Sequence, residues 1–312
     1  MLVSREKLQI ASGQINKKRE PPNSMSAPTV NLTPGLYIVA TPIGNLGDIT
    51  LRALETLKAA DAIACEDTRE TGKLAQVYGI SAPRIPYHDH NAAEMRPKII
   101  ERLKQGQSVA LVSDAGMPLI SDPGYKLVRA CRDEGLSVTC IPGASASLAG
   151  LVLSGLPADR FFFGGFLPVK SAARRTALGD VAGVPATLVF YETAPRLAES
   201  LADMNAVLGA RPAAVARELT KKFEEVRTGT LAELAAHYAA AGEPRGEIVV
   251  IVGQGDGTAM AWDAARIDAR LAEVMHGQGL RVKDAAALVA AESGWRKNDV
   301  YARALLVKDG GG

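Results

Sequence analysis

The chain has 312 residues, 47% hydrophobic and 22% charged, with 36 Lys and Arg against 34 Asp and Glu and a formal charge of +2. This is close to a globular average and long enough for about two domains with sizeable cores. It contains no run near the roughly 18 to 20 apolar residues of a membrane span, and its N-terminus lacks the order of a signal peptide, so a cytoplasmic protein is expected.

Residues 1–34 carry Arg5, Lys7, Lys17, Lys18 and Arg19 against Glu6 and Glu20, a balance of +3 that leaves the rest of the chain at −1. The remainder is therefore not basic, and any nucleic-acid site in it has to be a local patch. The polar composition of this leading segment, with Pro21, Pro22 and Pro28, predicts a disordered extension, and Met25 is an alternative start within it.

From Gly35 the chain becomes regular. Apolar runs predict strands at 36–40, 62–65, 85–87, 108–112 and 138–141, separated by amphipathic helical stretches, a rhythm that implies a parallel sheet with helices on both faces. Asp48 or Thr50 can start the first helix, and Asn91 with Glu94 has capping-box spacing for the third. Near Leu156-Pro157 the rhythm restarts, with strands predicted at 161–166, 187–191, 214–217 and 248–252. The expected organisation is an N-terminal α/β domain over 35–156 and a second α/β domain over 157–257, with a ligand cleft between them. A small helical tail domain follows over 258–312. Its three short helices are marked by Ile267, Leu271 and Val274, then Ala285, Leu288 and Val289, then Val300, Leu305 and Leu306, with Gly294 breaking the second from the third. Arg281, Lys283, Arg296, Lys297, Arg303 and Lys308 suit either a nucleic-acid-binding appendage or a helical cap with a solvated basic face.

Chemistry gathers in the loops that follow the strands. The run 113–124, SDAGMPLISDPG, turns from the fourth strand into a helix; Gly116 and Gly124 permit positive φ, Pro118 and Pro123 stiffen the path, and Asp122 can cap the helix. Ligands of open α/β sheets collect at such strand ends. The other ends give TPIGNLGD from Thr41, EDTR from Glu66, HDHN from His88 and PGASA from Pro142. His88 and His90 lack a third ligand in spacing, so no metal is expected. Glu66 and Asp67 point opposite ways on an extended chain, so only one can face a cleft. Neither a G-x-G-x-x-G fingerprint nor a P-loop is present. Cys65, Cys131 and Cys140 lie in predicted elements without C-x-x-C spacing and read as buried reduced thiols.

Seven motifs in order, TPIGNLGDIT, EDTRET, HDHN, SDAGMPLISDPG, PGASA, FYETAPR from Phe190 and RELTKKFEEVRTGTL from Arg217, resemble those of the bacterial small-subunit ribosomal RNA methyltransferase I family of the tetrapyrrole-methylase superfamily. The likeness covers about residues 35 to 256; Gly47 and Met117 depart from residues usual in the family, without disturbing the backbone features. It implies a class III methyltransferase with S-adenosylmethionine as cofactor, 2′-O-methylation of a cytidine ribose at the decoding centre, a homodimer, and either ribosomal RNA or the assembled small subunit as partner. The strand-end loop at Pro42 and the turn Asp114, Ala115, Gly116, Met117 and Pro118 would face the cofactor, the turn offering amides and carbonyls to its amino-acid part. The resemblance assigns its adenosine to Ser145 and Ala146 of PGASA and to Phe166, Leu167 and Gly246. Glu66, Asp67, Tyr191 and Glu192 are candidate bases or hydrogen-bond acceptors, and Arg217 or Lys221 could hold RNA phosphate. Alternatives within the superfamily are methylation of a corrinoid or diphthamide precursor; outside enzymes, a ribosome-assembly factor that keeps the cleft as a binding surface.

Overall fold

The computed structural model describes residues 31–255, 264–277, 279–293 and 295–309. Most of the expected N-terminal extension and Gly294 lie outside the described residues. Residues 31–34 belong to the fold: Leu32 packs on the first core and the Tyr37 hydroxyl donates to the Thr33 carbonyl at 2.8 Å.

Five strands, β1 (Gly35–Val39), β2 (Ala62–Cys65), β3 (Arg84–Pro86), β4 (Ser108–Val112) and β5 (Val138–Ile141), form a parallel sheet in the order β3-β2-β4-β1-β5. Helices α1 (Leu51–Ala59), α2 (Thr68–Tyr78), α3 (Ala92–Lys104) and α4 (Tyr125–Asp133) cover it. The central strands read as unbroken apolar runs because alternate residues feed different faces: Tyr37, Val39, Ala110 and Val112 meet Leu57 and Leu74, while Leu36, Ile38, Val109 and Leu111 meet Ile99 and Leu127. Cys65 and Cys131 are buried as expected, but Cys140, on the edge strand β5, is exposed.

Capping follows the sequence in part. Thr50 accepts from the Ala53 amide at 3.1 Å and starts α1. Asn91 does not cap α3; its side chain ties the preceding loop, accepting from the His88 amide and donating to the Pro86 carbonyl, and Glu94 pairs with Lys98. Asp122 caps nothing either, since α4 begins after Gly124 with no side-chain cap.

Helix α5 (Ala146–Leu153) leads into the second sheet, whose strands are β6 (Phe161–Phe166), β7 (Thr187–Thr193), β8 (Pro212–Arg217), β9 (Glu225–Thr230) and β10 (Glu247–Val252), in the order β6-β7-β10-β8-β9. Only β6 and β7 run parallel; the others pair antiparallel. The sequence reading missed β9, an edge strand whose EVRTGT carries charge instead of an apolar run. One face is covered by α6 (Ser171–Val181), α7 (Leu197–Leu208) and α8 (Leu231–Ala241), the last started by a Thr230–Glu233 capping box. The other face receives Leu151 of α5, together with Ile43 and Leu219. So α5, placed with the first domain by the sequence, packs on the second sheet. Gly150 permits this, since a Cβ there would lie 3.1 Å from Val249.

In the tail, α9 (Ala264–Ala272), a π-helical turn (Glu273–Gly277), α10 (Val282–Ser293) and α11 (Lys297–Asp309) close on a core of Ile267, Leu271, Val274, Ala285, Ala286, Val289, Val300 and Ala304. Leu288, Leu305 and Leu306, which help mark the helices in the sequence, are exposed; small alanines take the close positions. Arg303 is bound to Asp268 across α9 and α11, which leaves Arg281, Lys283, Arg296 and Lys297 exposed.

Candidate active-site cleft

The connections from β1 and β4 leave their neighbouring strands in opposite directions, which makes their carboxyl ends a topological switch point. The two loops are joined there: the Thr41 amide donates to the Gly116 carbonyl at 2.9 Å, the Gly116 amide returns to the Thr41 carbonyl at 3.1 Å, and the Thr41 hydroxyl donates to the Ser113 carbonyl. The β4 turn is tightly wound. Gly116 (φ 80°), Leu119 (73°), Ser121 (68°) and Gly124 (140°) all have positive φ, a conformation that costs the two non-glycines and marks a site-forming loop.

Above this turn, between the two sheets, lies a cavity of about 460 Å³, in the size range of small-molecule sites. Asp114, Ala115, Gly116 and Met117 line one side; Ser145 and Ala146 line another; Phe166, Tyr191, Glu192 and Gly246 come from the second sheet. The structure thus brings together most of the residues proposed for the cofactor. Pro118 is buried beneath the turn, and Leu167 belongs to the core of the second sheet, so neither reaches the cavity. Sequence reading missed Ile43, Ile120, Asp122, Thr193, Leu219 and Ile248 as lining residues, although all but Ile248 lie inside a motif it had singled out.

A second cavity of about 330 Å³ adjoins the first, and the two share Ile43, Asp114, Ala115 and Glu247. Pro42 lines this one, with Thr41, Gly44, Leu46, Thr71, Lys73 and Lys221. Lys221 lies across the β1 loop: a Cβ on Gly44 would sit 2.5 Å from its Cγ. Its Nζ bonds Glu218 at 2.9 Å and Glu247 at 3.0 Å, and these partners hold its pKa above the usual value against the effect of burial.

The candidate bases separate on geometry. Tyr191 presents its ring to the first cavity, edge-on to Phe163 at 4.9 Å and Phe166 at 5.5 Å. Glu192 is buried at 2% exposure and fully engaged, accepting from Ser200 Oγ at 2.5 Å and the Thr193 amide at 2.8 Å and pairing with Arg196. Arg196 in turn donates to the Leu167 carbonyl at 2.6 Å, so this network anchors the ends of β6 and β7. Asp67 caps α2, accepting from the Arg69 amide at 2.8 Å, and the Arg69 guanidinium holds its carboxyl down to about 2. Arg217 pairs with Glu225 in a separate groove beside Phe223 and Tyr238, away from both cavities. Glu66 and Asp67 line neither cavity.

Burial raises the carboxyls of Glu66, Asp114 and Asp122, and the three repel one another, Glu66 also feeling Asp89 and Asp67. Asp114 Oδ1 accepts from the Asp67 amide at 3.0 Å, which offsets part of its shift. A carboxyl whose pKa is higher in the folded than in the unfolded chain costs stability as pH rises through that interval, and the cost remains at neutral pH. Glu66→Gln is therefore expected to raise Tm by about 1–2 °C near neutral pH. The gain should vanish below about pH 4, where the unfolded carboxyl is itself protonated. Thermal melts across pH check this; a gain that does not depend on pH would contradict it.

Residues 35–235 match the family model described as Tetrapyrrole (Corrin/Porphyrin) Methylases, and residues 261–308 match that of the RsmI C-terminal HTH domain. Among curated relatives, the Ribosomal RNA small subunit methyltransferase I of Mesorhizobium japonicum is 54% identical over 286 residues, 91% of this chain and 96% of that protein. Its counterpart in Escherichia coli O157:H7 is 47% identical over 272 residues, 86% and 94% of the two chains. Among solved structures, diphthine synthase aligns with a TM-score of 0.57 at 20% identity, over 70% of this chain and 89% of its own. A Thermus thermophilus uroporphyrin-III C-methyl transferase complexed with S-adenyl homocysteine gives 0.50 at 21%, over 70% and 97%. At such identities the likeness shows the fold.

Proposed function

Because the chain belongs to the tetrapyrrole methylase family and, within it, groups with the ribosomal RNA small subunit methyltransferase I proteins, we propose that it uses S-adenosylmethionine to methylate the 2′-hydroxyl of a cytidine ribose in small-subunit ribosomal RNA. The observation that carries the cofactor assignment is the Gly116 turn, hydrogen-bonded to the β1 loop at the switch point and opening onto an apolar, aromatic-walled cavity. The residues fit the group. Backbone amides and carbonyls of 114–117 suit a zwitterionic amino acid, and carbonyl oxygens tolerate a sulfonium without a full countercharge. Phe166, Tyr191 and Ile248 suit an adenosine. When bound, the cofactor supplies an electrophilic methyl on sulfur. The chain's contribution is to hold donor and acceptor in line and exclude water, with the Glu192–Arg196–Ser200 network fixing the strand ends that carry Tyr191 and Thr193. Calorimetry with S-adenosylhomocysteine is expected to show one site per chain, displaced by S-adenosylmethionine; no binding by the folded protein would favour an assembly factor without catalysis.

Among the described residues no helix is long and apolar enough to cross a membrane, and a ribosomal substrate points to the cytoplasm. The same reading includes a homodimer. Helix α5 packs Gly150 and Leu151 inward yet leaves Leu148, Val152 (74%) and Leu153 exposed, a contiguous apolar face that a second copy would cover. Val152→Asp, on this exposed face, is expected to shift the chain from dimer to monomer in light scattering at micromolar concentration. A wild-type monomer throughout that range would remove the dimer.

A further inference from the structure

The second cavity has a lining that the cofactor reading leaves unused. Where the first is walled by Met117, Ile120, Phe166 and Leu219, the second presents Lys73, Lys221, Thr71 and Glu70, with the exposed Leu46 in its lining. Both lysines are already held by carboxylates, Lys73 by Glu70 at 2.6 Å and Lys221 by Glu218 and Glu247. The Lys73 pair is 72% and 49% exposed, and ion pairs so exposed contribute little, so an incoming phosphate can take over the ammonium at little cost. Asp114 stands on the wall common to the two cavities, with one oxygen held by the Asp67 amide. Glu247, the other carboxylate on that wall, is neutralised by Lys221.

We propose that the second cavity receives the target ribonucleotide, with Lys73 and Lys221 on its flanking phosphates and its ribose turned through the shared wall toward the first cavity, where Asp114 accepts the 2′-hydroxyl proton. The 2′-oxygen bonds to the methyl carbon, the carbon–sulfur pair returns to sulfur to leave S-adenosylhomocysteine, and the hydroxyl proton passes to Asp114 and on to water. The assignment rests on the ribose-methylating reading above.

The test uses the full chain and an RNA fragment spanning its target region. Lys73→Ala, at an exposed position, is expected to weaken RNA binding measured without cofactor and to flatten its salt dependence by a slope of about 0.7 to 0.9. Leu46→Trp, which adds bulk to the lining, should raise the KM for RNA. Asp114→Asn can still accept from the Asp67 amide; it should lower kcat by about 10²–10⁴-fold with little change in KM and remove the acidic limb of the pH–rate profile. S-adenosylhomocysteine affinity should stay at the parent value in Lys73→Ala and Leu46→Trp. If Leu46→Trp instead weakens S-adenosylhomocysteine, the second cavity belongs to the cofactor and the assignment falls. Unchanged RNA binding in Lys73→Ala, or parental kcat in Asp114→Asn, also overturns it. Should the parent chain leave the RNA unmethylated, it is the ribose-methylating reading that fails.

Discussion

Gly116→Leu is expected to weaken S-adenosylhomocysteine binding by at least about tenfold, or about 1.4 kcal/mol, while the protein stays folded. Two effects add. At φ 80° a side chain is strained by roughly 1–2 kcal/mol, and a Cβ would already sit 3.3 Å from Ile43 Cγ2 and 3.7 Å from the Ala144 carbonyl. The remaining leucine atoms can go only into the cavity or against Ile43, which itself forms part of the core between the α5 helix and the second sheet. Gly116→Ala separates the causes, since it carries the backbone strain with little of the bulk, and should lose less. Calorimetry on both variants, with melts to confirm folding, decides the matter; undiminished affinity in folded Gly116→Leu would move the cofactor elsewhere.

The second large effect concerns the tail. A chain ending at Gly257 is expected to bind S-adenosylhomocysteine as the full chain does and to methylate its ribosomal substrate poorly. The rest of the chain beyond residue 34 is slightly acidic, so attraction to RNA falls to local clusters, of which Arg281, Lys283, Arg296 and Lys297 form one. Arg303 is not counted with them because Asp268 holds its partly buried guanidinium with two hydrogen bonds, whereas Arg296 stays exposed and meets Asp299 only at 3.7 Å. Losing four phosphate contacts should reduce the salt slope of RNA binding by about 3 and the affinity by tens of fold at moderate salt, without altering which ribose is modified. Full methyl transfer by the shortened chain at physiological salt would make the tail a structural cap.

What could be read from the sequence, and what could not, divides along a physical line. Strands buried on both faces announce themselves, which is why β1, β2 and β4 were legible as unbroken apolar runs. Glycines at strand ends announced the turn at Gly116 because few other residues adopt its φ. Edge strand β9 lacks such a signature, since its partners lie on one side only and its side chains stay half wet. The fate of a polar side chain is decided by tertiary neighbours that no local pattern encodes. Glu192 reads as a base in FYETAPR yet is consumed by Ser200 and Arg196, and Asp67 reads as one in EDTR yet caps α2. Asp114 could be assigned to the turn but not to the wall between two cavities, because the second wall comes from α2 and from the loop after β8. The helix α5 shows the same limit: its apolar sequence says that it packs on something without saying which of its faces meets which sheet.

The most direct measurement incubates the full-length chain with small ribosomal subunits from a strain lacking this activity and with cofactor carrying an isotopically labelled methyl group, then maps the label by nuclease digestion and mass spectrometry. A single labelled nucleoside, 2′-O-methylcytidine, is expected at a position that becomes resistant to alkaline cleavage. Label on a base, label confined to protein, or no transfer to the subunit by a preparation that binds the cofactor would contradict it.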